Sequence, residues 1–183
     1  MILTDREIKI AIDQKIISID PPPSGDKYSS SSVDLTLGRS LTKFREAEPG
    51  IRRSIDFSRI ENHDSVLNDV TETIQIDPKN GYELEPREFV LAWTAEHVDL
   101  KLHSQIAARV EGKSSLARFG IAVHITAPTI HSGFNGCIRL EVANHGTMPV
   151  TLREGMKFCQ LIFEQTLGTP EKGYQGQFQH QNG

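Results

Sequence analysis

Cysteine is scarce in this 183-residue chain. The two that occur, Cys137 and Cys159, both sit in apolar, strand-like contexts. They read as buried free thiols of a protein in a reducing compartment. No apolar run is long enough to span a bilayer, so a helical membrane protein is excluded. The opening MILTDREIKIAI lacks the layout of a signal peptide, which makes the cytoplasm the expected location. Basic residues are not in excess: 20 Lys and Arg face 24 Asp and Glu, for a net charge of −4. That balance argues against a nucleic-acid binder, which shows a basic stripe, and leaves room for a small basic pocket facing an anion. Repeats and strongly biased tracts are also missing. The length suits one sizeable core, so residues 1–183 are expected to form a single domain.

The first twenty residues read as a helical segment. Thr4 is a candidate N-cap for a helix from Asp5 to about Gln14, and Glu7, three residues on, would complete a capping box. Ile8, Ala11 and Ile12 give that helix one apolar face. The Pro21-Pro22-Pro23-Ser24-Gly25 run ends the unit, and YSSSS after it is loop-like. From Val33 onward short apolar alternations recur: VDLTL, ETIQI, EFVLAWT, QIAARV, GIAVHIT, CIRLEVAN, PVTLR and FCQLIFEQ. Turn residues separate them at Pro78–Gly81, Glu85-Pro86, Asn144–Gly146 and Arg153–Gly155. Many short strands with this punctuation predict an all-β sandwich or barrel. Residues 168–183 are rich in Gly and Gln and poor in apolar residues, and are expected to be a mobile tail.

The segment from Val110 to Glu141, VEGKSSLARFGIAVHITAPTIHSGFNGCIRLE, carries the chemistry. Lys113, Ser114 and Ser115 place a cation, two hydroxyls and backbone N–H donors beside a glycine, which is what a phosphate chain needs. This is not a Walker A loop, because Ala107 stands where its first glycine would be. On the residues alone, the turn is either a phosphate site or a solvated turn. Glu141 stands in an otherwise apolar strand, where a carboxylate is costly unless it is paired or used. It is either a base or half of a structural ion pair. Neither H-x-E nor P-C-x-x-C occurs, so the zinc site of metal-dependent nucleobase deaminases is not present as a motif.

These strings resemble the dCTP deaminase family, whose fold is shared with the trimeric dUTPases. The family pattern is G-[RK]-S-S-L-x-R-x-G, then H-x-T-A, then I-D-x-G-[FWY]-x-G-x-I-x-L-E. The chain reads Gly112-Lys113-Ser114-Ser115-Leu116-Ala117-Arg118-Phe119-Gly120, then His124-Ile125-Thr126-Ala127, then Ile130-His131-Ser132-Gly133-Phe134-Asn135-Gly136-Cys137-Ile138-Arg139-Leu140-Glu141. An opening LTDREI, a Ser32-Val33-Asp34-Leu35 segment, a PREFVLAWTAEHVDL strand pair and a tail Gly173-Tyr174-Gln175-Gly176-Gln177 extend the likeness over nearly the whole chain. The main departure is His131, where the family carries Asp. Pro128 and Thr129 also stand where a basic residue is expected.

The resemblance implies a distorted jelly roll of the dUTPase-like type. It implies a homotrimer with each active site at a subunit interface. It implies dCTP or dUTP as ligand, with dTTP a candidate inhibitor and Mg2+ accompanying the triphosphate without zinc. Glu141, Arg118 and Ser114 become the catalytic set. Lys113, Ser114, Ser115, Arg118, Ile125, Thr126, Ala127, Phe134, Tyr174 and Gln177 become the substrate-binding set. Glu141 would take a proton from water and deliver it to the pyrimidine. Arg118, otherwise a surface arginine, would sit near Glu141 and keep it ionised. Backbone groups of Ile125, Thr126 and Ala127 would meet the base, with His124 beside them. Phe134, otherwise a core cap, would pack under the deoxyribose and exclude a 2′-hydroxyl. Asp34 would help orient the phosphate region, and Tyr174, Gln175 and Gln177 would fold over the nucleotide. The expected activity is deamination of dCTP to dUTP and ammonia. A dUMP-forming bifunctional enzyme and a non-catalytic nucleotide-binding relative are the alternatives.

Overall fold

The computed structural model describes residues 1–46, 50, 54–126 and 128–171. It is an all-β architecture, as the alternating runs predict, with a short helix at the N-terminus. Helix α1 spans Asp5–Asp13 and turns Ile8 and Ala11 into the core. Its start differs from a capping box. Thr4 accepts no bond from the helix backbone; its hydroxyl donates to the Glu7 carboxylate instead. The expected helical segment also stops short of residue 20. Strand β1, Ile17–Asp20, alternates buried Ile17 and Ile19 with exposed Ser18 and Asp20. The YSSSS stretch is a hairpin rather than a loop: β2, Tyr28–Ser29, pairs with the first residues of β3, Ser32–Phe44.

Helix α2, His63–Val70, is started by the Asn62 side chain, which accepts from Ser65 N at 3.1 Å. It leads into β4, Thr71–Gln75, and then β5, Tyr82–Leu84. The expected strand pair in PREFVLAWTAEHVDL is one long strand, β6, Phe89–Leu100, broken by a register shift between Trp93 and His97. Strand β7, Ile106–Gly112, is followed by one turn of helix, α3, Ser114–Ala117. Strand β8 covers only Ile121–Ala122 of the expected GIAVHIT strand. Strands β9, Asn135–Asn144, β10, Val150–Leu152, and β11, Lys157–Gln165, follow the predicted alternations.

The main sheet runs β7-β11-β3-β6-β9-β8, with β1 on β6 and both β2 and β4 on β3; β5 and β10 form a separate pair. Every strand pairing is antiparallel. Beyond Ala122 the chain leaves β9 and crosses to the far end of the sheet, where Ile130 bridges Ala108 of β7. That crossing nearly closes the sheet into a barrel, and it ends the predicted strand early. Strand β3 serves both halves, pairing with β11 through Val33–Thr36 and with β6 from Leu37 on. It bends at Gly38, where a Cβ would stand 3.0 Å from the Trp93 carbonyl oxygen. Only glycine lets the two backbones approach that closely.

The core is built from inward residues of these strands, among them Leu35, Leu37, Leu140, Phe158 and Phe163, each fully buried. Each contributes about 1.5–3 kcal/mol by leaving water. Cys159 lies in this core, and burial pushes its thiol above the usual range. Cys137, expected to be buried, is half-exposed on the other face of β9. No helix among the described residues is long and apolar enough to cross a membrane.

Candidate active site

Strand β3 is buried on both faces, and one face is polar: Ser32, Asp34 and Thr36 alternate with Val33, Leu35 and Leu37. Each buried polar group finds a partner, as low-dielectric surroundings demand. Ser32 Oγ donates to Gln160 Oε1 at 2.8 Å. Asp34 Oδ1 accepts from Lys113 Nζ at 2.6 Å. Thr36 donates through N and through Oγ1, each at 2.8 Å, to the carboxylate of Glu96. This row carries the geometry of the Gly-Lys-Ser-Ser turn.

Lys113 is therefore not a solvated turn residue. Gly112 ends β7, Lys113 precedes α3, and the ammonium is drawn back onto a carboxylate whose side chain is 7% exposed. Lys157 at the start of β11 approaches the other Asp34 oxygen at 3.8 Å and pairs with Asp26 at 2.9 Å. Asp34 thus gathers two lysines beside the turn, which gives the weak expectation for Asp34 a physical form. Sequence reasoning missed Lys157, whose place became visible only when β11 paired with β3. Ser114, Ser115 and Arg118 are exposed around α3. Among the described residues their side chains make no hydrogen bond or ion pair.

Glu141 occupies the opposite region. Strand β9 alternates strictly, with Ile138, Leu140 and Val142 in the core and Cys137, Arg139 and Glu141 on the other face. Glu141 lies opposite Leu91 of β6. Its Oε2 is buried without a hydrogen-bond partner among the described residues, and so are His124 Nδ1 and Arg139 Nε. Arg139 is two residues from Glu141 on the same face of β9, and its guanidinium feels the Glu141 charge; His124 follows β8 after the chain has left the β9 ladder. Buried orphan groups are rare in folded proteins, and where they cluster they mark a strain reservoir, an unfilled ligand position or a catalytic role. His124 is thus not the satisfied strand histidine that its sequence alone suggests.

The expected contact of Arg118 with Glu141 is not made within the protomer. Arg118 follows α3 beside the far end of β9, where Gly120 O accepts from His145 N at 2.8 Å. Glu141 lies four residues back from His145, about 13 Å by strand rise. Arg118 instead lines an open cleft of about 600 Å³ with Phe119, Ile121 and Met148. Among the described residues Arg139 lies near enough to Glu141 to feel its charge. Its guanidinium lies 4.7 Å from the centroid of the Trp93 ring, and Nη2 donates to Thr42 Oγ1 at 3.2 Å. A second charged residue in an apolar strand was the signal that could have revealed it.

The remaining expected contacts divide. Phe134 is 8% exposed and belongs to the core cluster, so within the protomer it caps the core and offers no open face to a sugar. Ile125 is 56% exposed, and Thr126 is exposed beside it, on the irregular segment after β8. His131 is exposed, and its carbonyl accepts from Phe134 N at 3.1 Å within the turn before β9. Ala127, Tyr174, Gln175 and Gln177 lie outside the described residues. Among the described residues no cluster of three or more His, Cys, Asp or Glu side chains could hold a metal ion.

Known proteins resemble this chain in sequence and fold. A family model described as dCTP deaminase-like matches residues 2–166. A Methanosphaera stadtmanae protein named dCTP deaminase, dUMP-forming, is 39% identical over 173 residues, covering 94% of this chain and 83% of its own. A dCTP deaminase of Rhodospirillum rubrum is 36% identical over 177 residues, covering 95% and 87%. The solved 2′-deoxycytidine 5′-triphosphate deaminase of Agrobacterium tumefaciens superposes with a TM-score of 0.66 at 22% identity, over 88% of this chain; the chain spans 47% of that one. A dUTPase from phage phi11 of S. aureus superposes with a TM-score of 0.51 at 10% identity, over 88% of this chain and 97% of its own. The dUTPase-like barrel expected from the sequence is the fold observed.

Proposed function

The chain belongs to the dCTP deaminase-like family, and from that premise we propose that it is a zinc-independent hydrolase converting dCTP and water to dUTP and ammonia. The observation that carries this reading is Glu141: a carboxylate on a strand whose inner face is core, with one oxygen buried and unpaired. Water adds to C4 of the cytosine while Glu141 accepts its proton. The proton passes to N3 of the pyrimidine, and as the C4–N bond breaks the new C4 hydroxyl gives its proton to the amine, which leaves as ammonia from a C4 carbonyl. Lys113, Ser114 and Ser115 receive the triphosphate, which arrives as its Mg2+ chelate. Ile125, Thr126 and Ala127 meet the base, and Tyr174 and Gln177 cover the nucleotide. A homotrimer completes each site. That assembly is supported by the separation, within one protomer, of Arg118 and the serines from Glu141, so a neighbouring copy would bring the two halves together. The unpaired thiols suit a reducing, cytoplasmic setting.

Incubation with dCTP and Mg2+, with ammonia, dUTP, dUMP and pyrophosphate assayed separately, tests the reading. Ammonia and dUTP in equal amounts support it; no ammonia would leave a nucleotide-binding relative. The dUMP-forming name of archaeal relatives at 37–39% identity favours a second reading, in which dUTP is hydrolysed in the same site. His131 argues against that step. An imidazole differs from the family's carboxylate in reach and geometry, and a misplaced base loses much of its effect. With dUTP and Mg2+ supplied directly, little or no pyrophosphate is expected. Robust release that disappears in His131→Ala would make the protein a two-step enzyme with the histidine as base.

Lys113→Ala should weaken dCTP binding about ten- to hundredfold, the worth of one charge-assisted contact to phosphate. The loss should be larger at low salt, because ions screen the contact. Calorimetric titration at two ionic strengths checks this. A dissociation constant unchanged at both would reduce Lys113 to the partner of Asp34.

A further inference from the structure

We infer that Arg139 is a positioning residue for Glu141: its Nε–H fixes the water that the carboxylate activates. The inference rests on the reading of Glu141 as the base. The two side chains stand on one face of β9, two residues apart, so their Cα atoms are about 6.6 Å apart by strand rise. Arg139 Nε is a buried donor without a partner, and Glu141 Oε2 is a buried acceptor without one. They make no direct bond. One water oxygen between them would accept from Nε and donate to Oε2, satisfying both orphans at once.

Arg139 is held for this task. Trp93, its cross-strand neighbour, lies beneath the guanidinium, and Thr42 takes its Nη2 proton across the sheet. Stacking on an indole face and a bond to a hydroxyl fix the fork's plane, which leaves the buried Nε–H free to hold a water. Burial lowers the guanidinium's proton affinity, and the charges of Asp64 and Glu141 oppose that. The charged group facing the pair from another element is Asp64 of α2; Thr42, Leu91 and Trp93 from β3 and β6 are neutral. Arg139 is held beside Glu141 by its own strand, before any partner or nucleotide arrives.

The test reads Glu141 directly. In protein carrying 13C-labelled glutamate carboxyls, with the Glu141 resonance identified through Glu141→Gln, the pH midpoint of that signal is followed. Removing a neighbouring cation disfavours the carboxylate, so Arg139→Met should raise the midpoint by roughly one pH unit, and Arg139→Lys should hold it near its original place. In the same preparations kcat for ammonia release should fall about ten- to hundredfold in the Met variant with KM little changed. The acid limb of its pH profile should move upward with the midpoint. A Met variant with unmoved midpoint and unmoved kcat overturns the proposal, whatever its stability. A moved midpoint in a protein that releases no ammonia supports Arg139's hold on the carboxylate and sinks the deaminase reading instead. If Arg139→Met fails to fold, Thr42→Val removes the bond that fixes the guanidinium. It should raise the midpoint by a smaller amount, and no movement there overturns the proposal equally.

Discussion

Glu141→Gln should lower ammonia release from dCTP by about two to four orders of magnitude, the usual worth of a general base. The substitution keeps the shape and length of the side chain and one acceptor oxygen, and removes the ability to take a proton. The triphosphate contacts of Lys113, Ser114 and Ser115 are on a different part of the chain, so dCTP affinity should stay within about threefold. The split separates base from binder: a catalytic role lowers kcat alone, whereas an ion-pair role would lower stability and leave kcat per folded molecule intact. Single-turnover kinetics and calorimetric titration on the same sample decide it. Turnover within about tenfold of the parent would move the base elsewhere, and His124, whose Nδ1 is buried without a partner among the described residues, would be the next candidate.

The alternations that the sequence displays became strands wherever one face is core and the other is not. Strand β9 is the clearest case, since Ile138, Leu140 and Val142 alternate with Cys137, Arg139 and Glu141. What stayed hidden depends on pairing between distant segments. ISID at residues 17–20 reads as the end of a helix until β6 offers it a ladder from Leu100 to His97. GIAVHIT reads as one strand, but the chain must cross from β9 to reach Ala108, so only two of its residues stay in the ladder. The polar Thr94–Glu96 stretch reads as a turn between two strands. It is a bulge inside one strand, because Thr94 turns its hydroxyl to the Glu96 carbonyl and to Ile138 N while Glu96 goes inward.

The site was legible in residue type and not in arrangement. A carboxylate in an apolar strand and a Gly-Lys-Ser-Ser turn are local signals. That Lys113 is tethered to Asp34, seventy-nine positions earlier, is not. Nor is the distance between Arg118 and Glu141, which are close in the motif and apart in the barrel. Arg139 falls at an unspecified place of the same motif, and its partners Trp93 and Thr42 come from strands far away in the sequence. Phe134 shows the local limit: the Gly-Phe-Asn-Gly turn is visible in the sequence, and that the ring packs into the core of its own protomer is not.

Glu96→Ala should cost about 3–5 kcal/mol of stability, because it removes one partner of a buried charge cluster and leaves the others stranded. Glu96 is 1% exposed, and its carboxylate accepts from Lys27 Nζ at 2.7 Å and from Thr36 N and Oγ1 at 2.8 Å each. Lys27 is itself only 18% exposed on its side chain, so water replaces the lost contact poorly. For a chain of this size that loss corresponds to a melting point lower by about 10 °C or more. Glu96→Gln keeps an acceptor for Thr36 while leaving Lys27 uncompensated, so it should fall between the parent and the alanine variant. Urea denaturation of the three proteins checks the order, and an alanine variant within about 1 kcal/mol of the parent would show that water or Asp26 substitutes for the carboxylate. The consequence should reach the phosphate turn. Thr36 and Asp34 lie on the same face of β3, so a loosened Thr36 loosens the carboxylate that holds Lys113. At a temperature where both proteins remain folded, Glu96→Ala should therefore raise KM for dCTP more than it lowers kcat, the reverse of the pattern expected at Glu141.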